Sequence, residues 1–224
     1  MTRRFLLMAM LLALLAPGLA TAQEEFPPPS GKGRVVVVLS GATGSGNYRA
    51  IATRIAALGY NAVLYDTPAL AAVAKNRSRD EVGSAVIAQA RQMPHSLPGK
   101  VGLVGFSMGG GVALTQGTMS NDVAVVAAWY PATIDIKDPK AFASRLRVPT
   151  VMFAGTEDDY KQCCMIDKAR EIAAAAKAAN APFELTIYPG IKHGFNIQGA
   201  NYSAPSTEDA LAKTAAALRL HLGG

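Results

Sequence analysis

The sequence predicts an α/β fold: a mostly parallel sheet of about six core strands with helices on both faces. Three observations carry that prediction. Short apolar, β-branched runs alternate with longer alanine-rich stretches along most of the chain. Half of the 224 residues are hydrophobic and 17% are charged, which suits one domain with a sizeable core and excludes disorder. The residues able to do chemistry follow directly on the ends of apolar runs, where such sheets bind ligands.

The chain opens with a segment that reads as a secretory signal rather than as part of the fold. Arg3 and Arg4 precede an unbroken apolar run from Phe5 to Ala16, which Pro17-Gly18 ends. Ala20-Thr21-Ala22 then gives the small-x-small pattern of a cleavage site. A run of 12 residues is too short for a membrane-spanning helix, so no permanent anchor is expected. The residue usual between the arginine pair and Phe-Leu of a twin-arginine signal is missing, which favours the general secretory route. Residues 1–22 are therefore assigned as signal peptide and 23–33, with Pro27-Pro28-Pro29, as an extended leader. Residues 34–224 form the folded domain, and the expected location is periplasmic or secreted. Loss of Arg3 and Arg4 lowers the formal charge from +6 to +4. The remaining basic residues are scattered, without a clustered footprint, and nucleic-acid binding is not expected.

The expected strands are Val35-Leu39, Ala62-Tyr65, Val101-Val104, Val123-Ala128, Thr150-Ala154 and Phe183-Tyr188, each short and bounded by turn residues. Asn47 to Leu58 reads as a helix stopped by Gly59. Ser78-Arg79-Asp80-Glu81 has capping-box spacing and opens a helix to about Met93. Asp138-Pro139 pairs a capping aspartate with proline at the first helical position. Met165 to Ala179 and Thr207 to Leu222 complete the helices.

After the third strand comes Gly105-Phe106-Ser107-Met108-Gly109, a G-x-S-x-G pattern between a strand and a helix. The sharp turn exposes the serine hydroxyl, and the glycines keep strand and helix from clashing. A plain glycine-rich turn has the same composition; its position in the strand series is what makes it informative. Serine needs a base oriented by an acid. Glu157, Asp158 and Asp159 follow the Thr150-Ala154 strand, and His193 follows the last strand. Asp158 fits best as the acid, with Asp159 as runner-up. His95, in a loop before the serine strand, and His221, near the C-terminus, read as surface or packing histidines. The order Ser107, Asp158, His193 is that of the α/β-hydrolases. Backbone N–H donors for an oxyanion are expected from Met108 and from Ser40-Gly41-Ala42-Thr43-Gly44, where Ala42 is the choice and Thr43 the next. The latter loop lacks the ending of a phosphate-binding P-loop.

Together these segments resemble the α/β-hydrolase superfamily, and within it the dienelactone-hydrolase-like group, over roughly Val35 to Leu222. Gly105 to Gly110, Gly155 to Asp159 and Tyr188 to Phe195 resemble its nucleophile, acid and base segments, and Trp129-Tyr130-Pro131 its active-site wall. The resemblance implies an α/β-hydrolase fold and a serine hydrolase of small carboxylic esters, without metal or cofactor. Trp129, Tyr130 and Tyr160 are expected to line the acyl pocket, with core packing an equal alternative for Trp129. Two departures shift the expected substrate from dienelactone to carboxylic esters in general. The founding members use cysteine where Ser107 stands, and their arginine after the histidine has no counterpart, because Asn196 and Ile197 follow Phe195. A non-catalytic ligand-binding relative is the reading from a different class; thioesterase and peptidase are alternatives within the fold. The short domain leaves little room for a lid, which is why small, accessible esters are expected.

Cys163-Cys164 leaves three states open: a strained eight-membered disulfide ring, free thiols, or bonds between molecules. Adjacent thiols without nearby histidines in sequence do not suggest a metal site.

Overall fold

The computed structural model describes residues 23–223. The expected signal peptide lies outside the described residues. Seven strands form one sheet in the order β1-β3-β2-β4-β5-β6-β7. They are β1 (Gln23–Phe26), β2 (Gly33–Leu39), β3 (Asn61–Tyr65), β4 (Ser96–Phe106), β5 (Val123–Trp129), β6 (Thr150–Gly155) and β7 (Phe183–Tyr188). All neighbours pair parallel except β1, which runs antiparallel to β3 with Gln23 opposite Tyr65.

The helices are α1 (Arg49–Ala57), α2 (Thr67–Val73), α3 (Arg79–Arg91), α4 (Met108–Val112), α5 (Pro139–Ala143), α6 (Ile166–Ala178) and α7 (Ala204–His221). Among the described residues, no helix is long and apolar enough to cross a membrane.

Strand composition explains the layering. Val36 and Val38 of β2 face the cluster that contains α1 and α7, whereas Val35, Val37 and Leu39 face the one that contains α3. A strand covered on both faces has no polar side, so the run of valines is continuous rather than alternating. In β5, Val125, Ala127 and Trp129 point to the first face, while Val126 and Ala128 point to the second, where α5 and α6 complete the layer.

Two expectations are corrected. The extended leader is in part a strand, β1, which adds an antiparallel edge strand to the six expected core strands. Glu25 holds β1 in place: its Oε1 accepts from Asn61 Nδ2 at 2.8 Å and from the His95 N–H at 3.2 Å. The second concerns α1, which starts at Arg49 after a 3-10 turn over Gly46–Tyr48.

The helices α3, α5 and α6 keep their expected places, α7 begins at Ala204 ahead of the expected Thr207, and α2 is not among those expected. The Ser78 side chain accepts from the Glu81 N–H and Glu81 accepts from the Ser78 N–H, completing the capping box of α3. Asp138 caps α5 ahead of Pro139.

Candidate active site

Ser107 sits between β4 and α4 with φ 50° and ψ −114°. A non-glycine residue at positive φ stores strain, and here the turn brings the hydroxyl to His193. The turn closes because Gly105 and Gly109 lack side chains. A Cβ at Gly105 would collide with the Gly109 carbonyl, and one at Gly109 with the Leu39 carbonyl. The Ser107 carbonyl accepts the N–H groups of Gly111 at 2.9 Å and Ala132 at 2.8 Å, and its N–H donates to the Trp129 carbonyl at 3.0 Å.

The loops after β6 and β7 are tied together. Thr156 N–H donates to the Tyr188 carbonyl, Glu157 N–H to the Ile191 carbonyl, and Gly190 N–H to Thr156 Oγ1. This lacing brings Asp158 and His193 face to face. His193 Nδ1 is 2.8 Å from Asp158 Oδ2, and His193 Nε2 is 2.9 Å from Ser107 Oγ. Asp158 is 3% exposed, and its other oxygen accepts the Tyr160 N–H at 3.2 Å. Glu157 and Asp159 are exposed, and neither reaches His193. With Nδ1–H donated to the carboxylate, Nε2 is free to accept the serine proton.

Two aromatic rings hold the imidazole. Tyr160 stacks on it with centroids 4.5 Å apart and 8° between planes; Tyr130 meets it edge-on at 4.7 Å and 70°. Tyr160 is 36% exposed, whereas Tyr130 is 1% exposed and is corrected as a pocket-lining residue. Tyr130 has φ 36°, and its hydroxyl donates to Asn196 Oδ1. Burial raises the Tyr130 phenol well above the ordinary tyrosine value, so it stays a protonated donor.

Trp129 is corrected. It is fully buried, donates Nε1–H to Thr214 Oγ1 at 3.1 Å, and packs among Phe106, Phe153 and Phe195. It belongs to the core beneath the site and has no exposed surface to offer a substrate.

Ser40 to Gly44 lies against the nucleophile: a Cβ at Gly41 would stand 3.3 Å from the Ser107 Cβ. The Gly109 N–H donates to the Ser40 carbonyl, fastening this loop to the elbow. The backbone N–H groups of Ala42 and Met108 have no protein acceptor among the described residues. They remain available to a ligand oxygen.

Sequence reasoning missed Tyr48 and Asn196. The buried Tyr48 phenol sits among Tyr130, Thr43 and the Gly41 backbone, and burial raises its pKa. Neither residue lies in a recognisable motif. Their role depends on contacts across the fold.

Cys163 and Cys164 are joined as a disulfide, the first of the three states the sequence leaves open. The Cys163 carbonyl accepts the Thr133 N–H at 2.8 Å. One trio of potential metal ligands occurs among the described residues: Asp158, Cys164 and His193, whose ligand atoms lie within 4.8 Å of one another. A disulfide sulfur is not a thiolate ligand, and the other two groups already bond to each other.

The family model described as "Dienelactone hydrolase family" matches residues 22–222. The chain belongs to the dienelactone hydrolase family. A Synechocystis protein named "Putative carboxymethylenebutenolidase" is 31% identical over 137 residues, which cover 58% of this chain and 54% of that one. The chain thus matches about half the length of that relative. Among solved structures, the "Putative Dienelactone Hydrolase" of Klebsiella pneumoniae is similar with TM-score 0.73 and 20% identity, over 87% of this chain and 90% of that one. Esterase 2 of Thermogutta terrifontis, phosphoramylated by tabun, is similar with TM-score 0.64 and 20% identity, over 88% of each chain. These structural likenesses bear on the fold, which is that of the α/β-hydrolases, and the family match bears on membership.

Proposed function

We propose that this family member hydrolyses carboxylic esters through Ser107, His193 and Asp158. The single observation that carries the reading is the unbroken hydrogen-bonded chain from Ser107 Oγ through His193 to Asp158, at 2.9 and 2.8 Å. In this mechanism His193 Nε2 takes the Ser107 proton as Oγ attacks the ester carbonyl. The N–H groups of Met108 and Ala42 hold the oxyanion. His193 then gives the proton to the departing alkoxide, which leaves as the alcohol, and the acyl group stays on Ser107 Oγ. The same imidazole deprotonates a water, which attacks the acyl carbon. Carboxylic acid is released and Ser107 regains its proton. Asp158 stays ionised throughout, fixing the Nδ1–H tautomer and stabilising the imidazolium. Tyr160, partly exposed and stacked on His193, forms one wall of the acyl groove, and Tyr130 buttresses the imidazole from behind.

The substrate is a small-molecule ester rather than dienelactone specifically. Asn196 and Ile197 follow Phe195, so that stretch offers no cation for a substrate carboxylate. Turnover of p-nitrophenyl esters of graded acyl length by the wild type and by Ser107→Ala tests the reading. Activity that is lost in the variant supports it; no turnover of any ester, with no labelling by a fluorophosphonate probe, supports a ligand-binding protein instead.

The proposal includes export, on the strength of the signal-like segment 1–22 alone. N-terminal sequencing of the protein from its native host is expected to begin at Gln23. A start at Met1 or Thr2 would contradict export with cleavage.

A further inference from the structure

We propose that the Cys163–Cys164 disulfide positions the His193–Asp158 pair, and that a dithiol which opens it slows the enzyme. The role rests on the proposed ester-hydrolase chemistry and gives that site two positioning residues. Cys164 is 4% exposed, and its Sγ lies within 4.8 Å of both an Asp158 carboxylate oxygen and a His193 ring nitrogen. Cys163 is partly buried. Its carbonyl accepts the Thr133 N–H at 2.8 Å and the Thr133 hydroxyl at 3.3 Å. The neighbouring Ala132 N–H donates to the Ser107 carbonyl. The disulfide therefore sits between the acid and base on one side and the segment tied to the nucleophile on the other.

The turn ahead of the disulfide is conformationally demanding. Lys161 and Gln162 are successive non-glycine residues with φ 47° and 56°. Left-handed backbone costs such residues energy and persists only where the surroundings fix it. Within the turn, Gln162 N–H donates to the Asp159 carbonyl at 3.3 Å and Cys163 N–H to the Tyr160 carbonyl at 3.0 Å. The closed ring restricts rotation of the Cys163–Cys164 backbone and so holds the end of the turn. The turn carries Tyr160, whose N–H donates to Asp158 Oδ1 and whose ring stacks on His193 at 4.5 Å. Reduction acts in two ways. It frees the turn that keeps Tyr160 on the imidazole. It also puts an S–H donor beside Asp158, where a disulfide sulfur has no proton to give. That donor competes for the carboxylate that accepts the His193 Nδ1–H. The exchange moves two electrons from the dithiol to the disulfide. One reductant thiolate attacks Cys163, the less buried of the two, and Cys164 leaves as a thiolate and takes up a proton. The second reductant thiolate then displaces Cys163, which is protonated in turn, and the reductant leaves as a cyclic disulfide. Full rate thus requires an oxidising compartment.

The test compares oxidised wild type, wild type reduced with dithiothreitol and desalted without air, and Cys163→Ala combined with Cys164→Ala. Thiols are counted by alkylation and mass spectrometry, and the fold is checked by circular dichroism. Reduction and the double variant are each expected to lower kcat for p-nitrophenyl acetate by about 10- to 100-fold, as misplacement of a reacting group does, with KM little changed. Reoxidation of the wild type is expected to restore kcat. The low-field proton NMR resonance of the His193 Nδ1–H, assigned by its absence from His193→Gln, needs no substrate. It is expected to shift or broaden on reduction and to return on reoxidation. No turnover by oxidised wild type contradicts the ester-hydrolase reading alone, and the resonance then decides the positioning role. Equal kcat in oxidised and reduced protein, a change confined to KM, or an unchanged resonance overturns the positioning role and leaves the ester-hydrolase reading standing. Should the disulfide resist reduction, the double variant decides; should the double variant not fold, the reduced wild type decides.

Discussion

Asp158 illustrates what a single residue contributes here. Its carboxylate is buried, accepts from His193 on one oxygen and from Tyr160 on the other, and so fixes the imidazole tautomer. Asp158→Asn presents an amide where that acceptor stood and is expected to lower kcat by about 10⁴-fold while KM changes little. Steady-state kinetics check this. Tyr160→Leu removes the ring stacked on His193, a contact of about 0.5–1.5 kcal/mol, so kcat/KM for small esters should fall by about 2- to 13-fold without a change in fold. Ser107, Asp158 and His193 were legible in the sequence because each sits in a local motif directly after a strand. Spacing favours Asp158 over Asp159 without excluding the latter. Only the lacing of the β6 and β7 loops decides which of the two reaches the histidine. Trp129 shows the opposite limit. Its position after the strand was legible, but the direction of its side chain depends on β5 register, which turns it into the core. Trp129→Ala is therefore expected to destabilise the protein by about 3–5 kcal/mol in urea unfolding, rather than to alter specificity.

At the scale of elements, the strands and helices whose signals are local were readable. The Ser78 capping box is one of them: Ser78→Ala should cost about 1 kcal/mol. For a chain of this size that is a fall in Tm of roughly 2–4 °C by calorimetry. β1 was not readable, because Gln-Glu-Glu-Phe before three prolines has neither apolar alternation nor length. It is a strand because the β3 edge is open to it and because Glu25 finds donors on Asn61 and His95. Those partners lie 36 and 70 residues away, beyond any local pattern.

For the whole molecule, the two-faced sheet carries the site. Its apolar strands bury valines on both sides, and the loops that leave its carboxyl edge bring together residues up to 86 positions apart. The family match and the structural likenesses agree with the fold that the strand and helix alternation predicts. The central claim concerns one atom, the Ser107 hydroxyl. The most direct measurement is peptide mapping by mass spectrometry after reaction with a fluorophosphonate, with p-nitrophenyl acetate turnover followed in parallel. The account predicts a single adduct on the peptide that contains Ser107, loss of turnover in step with labelling, and neither adduct nor turnover in Ser107→Ala. An adduct on another residue, or full turnover in folded Ser107→Ala, would contradict it.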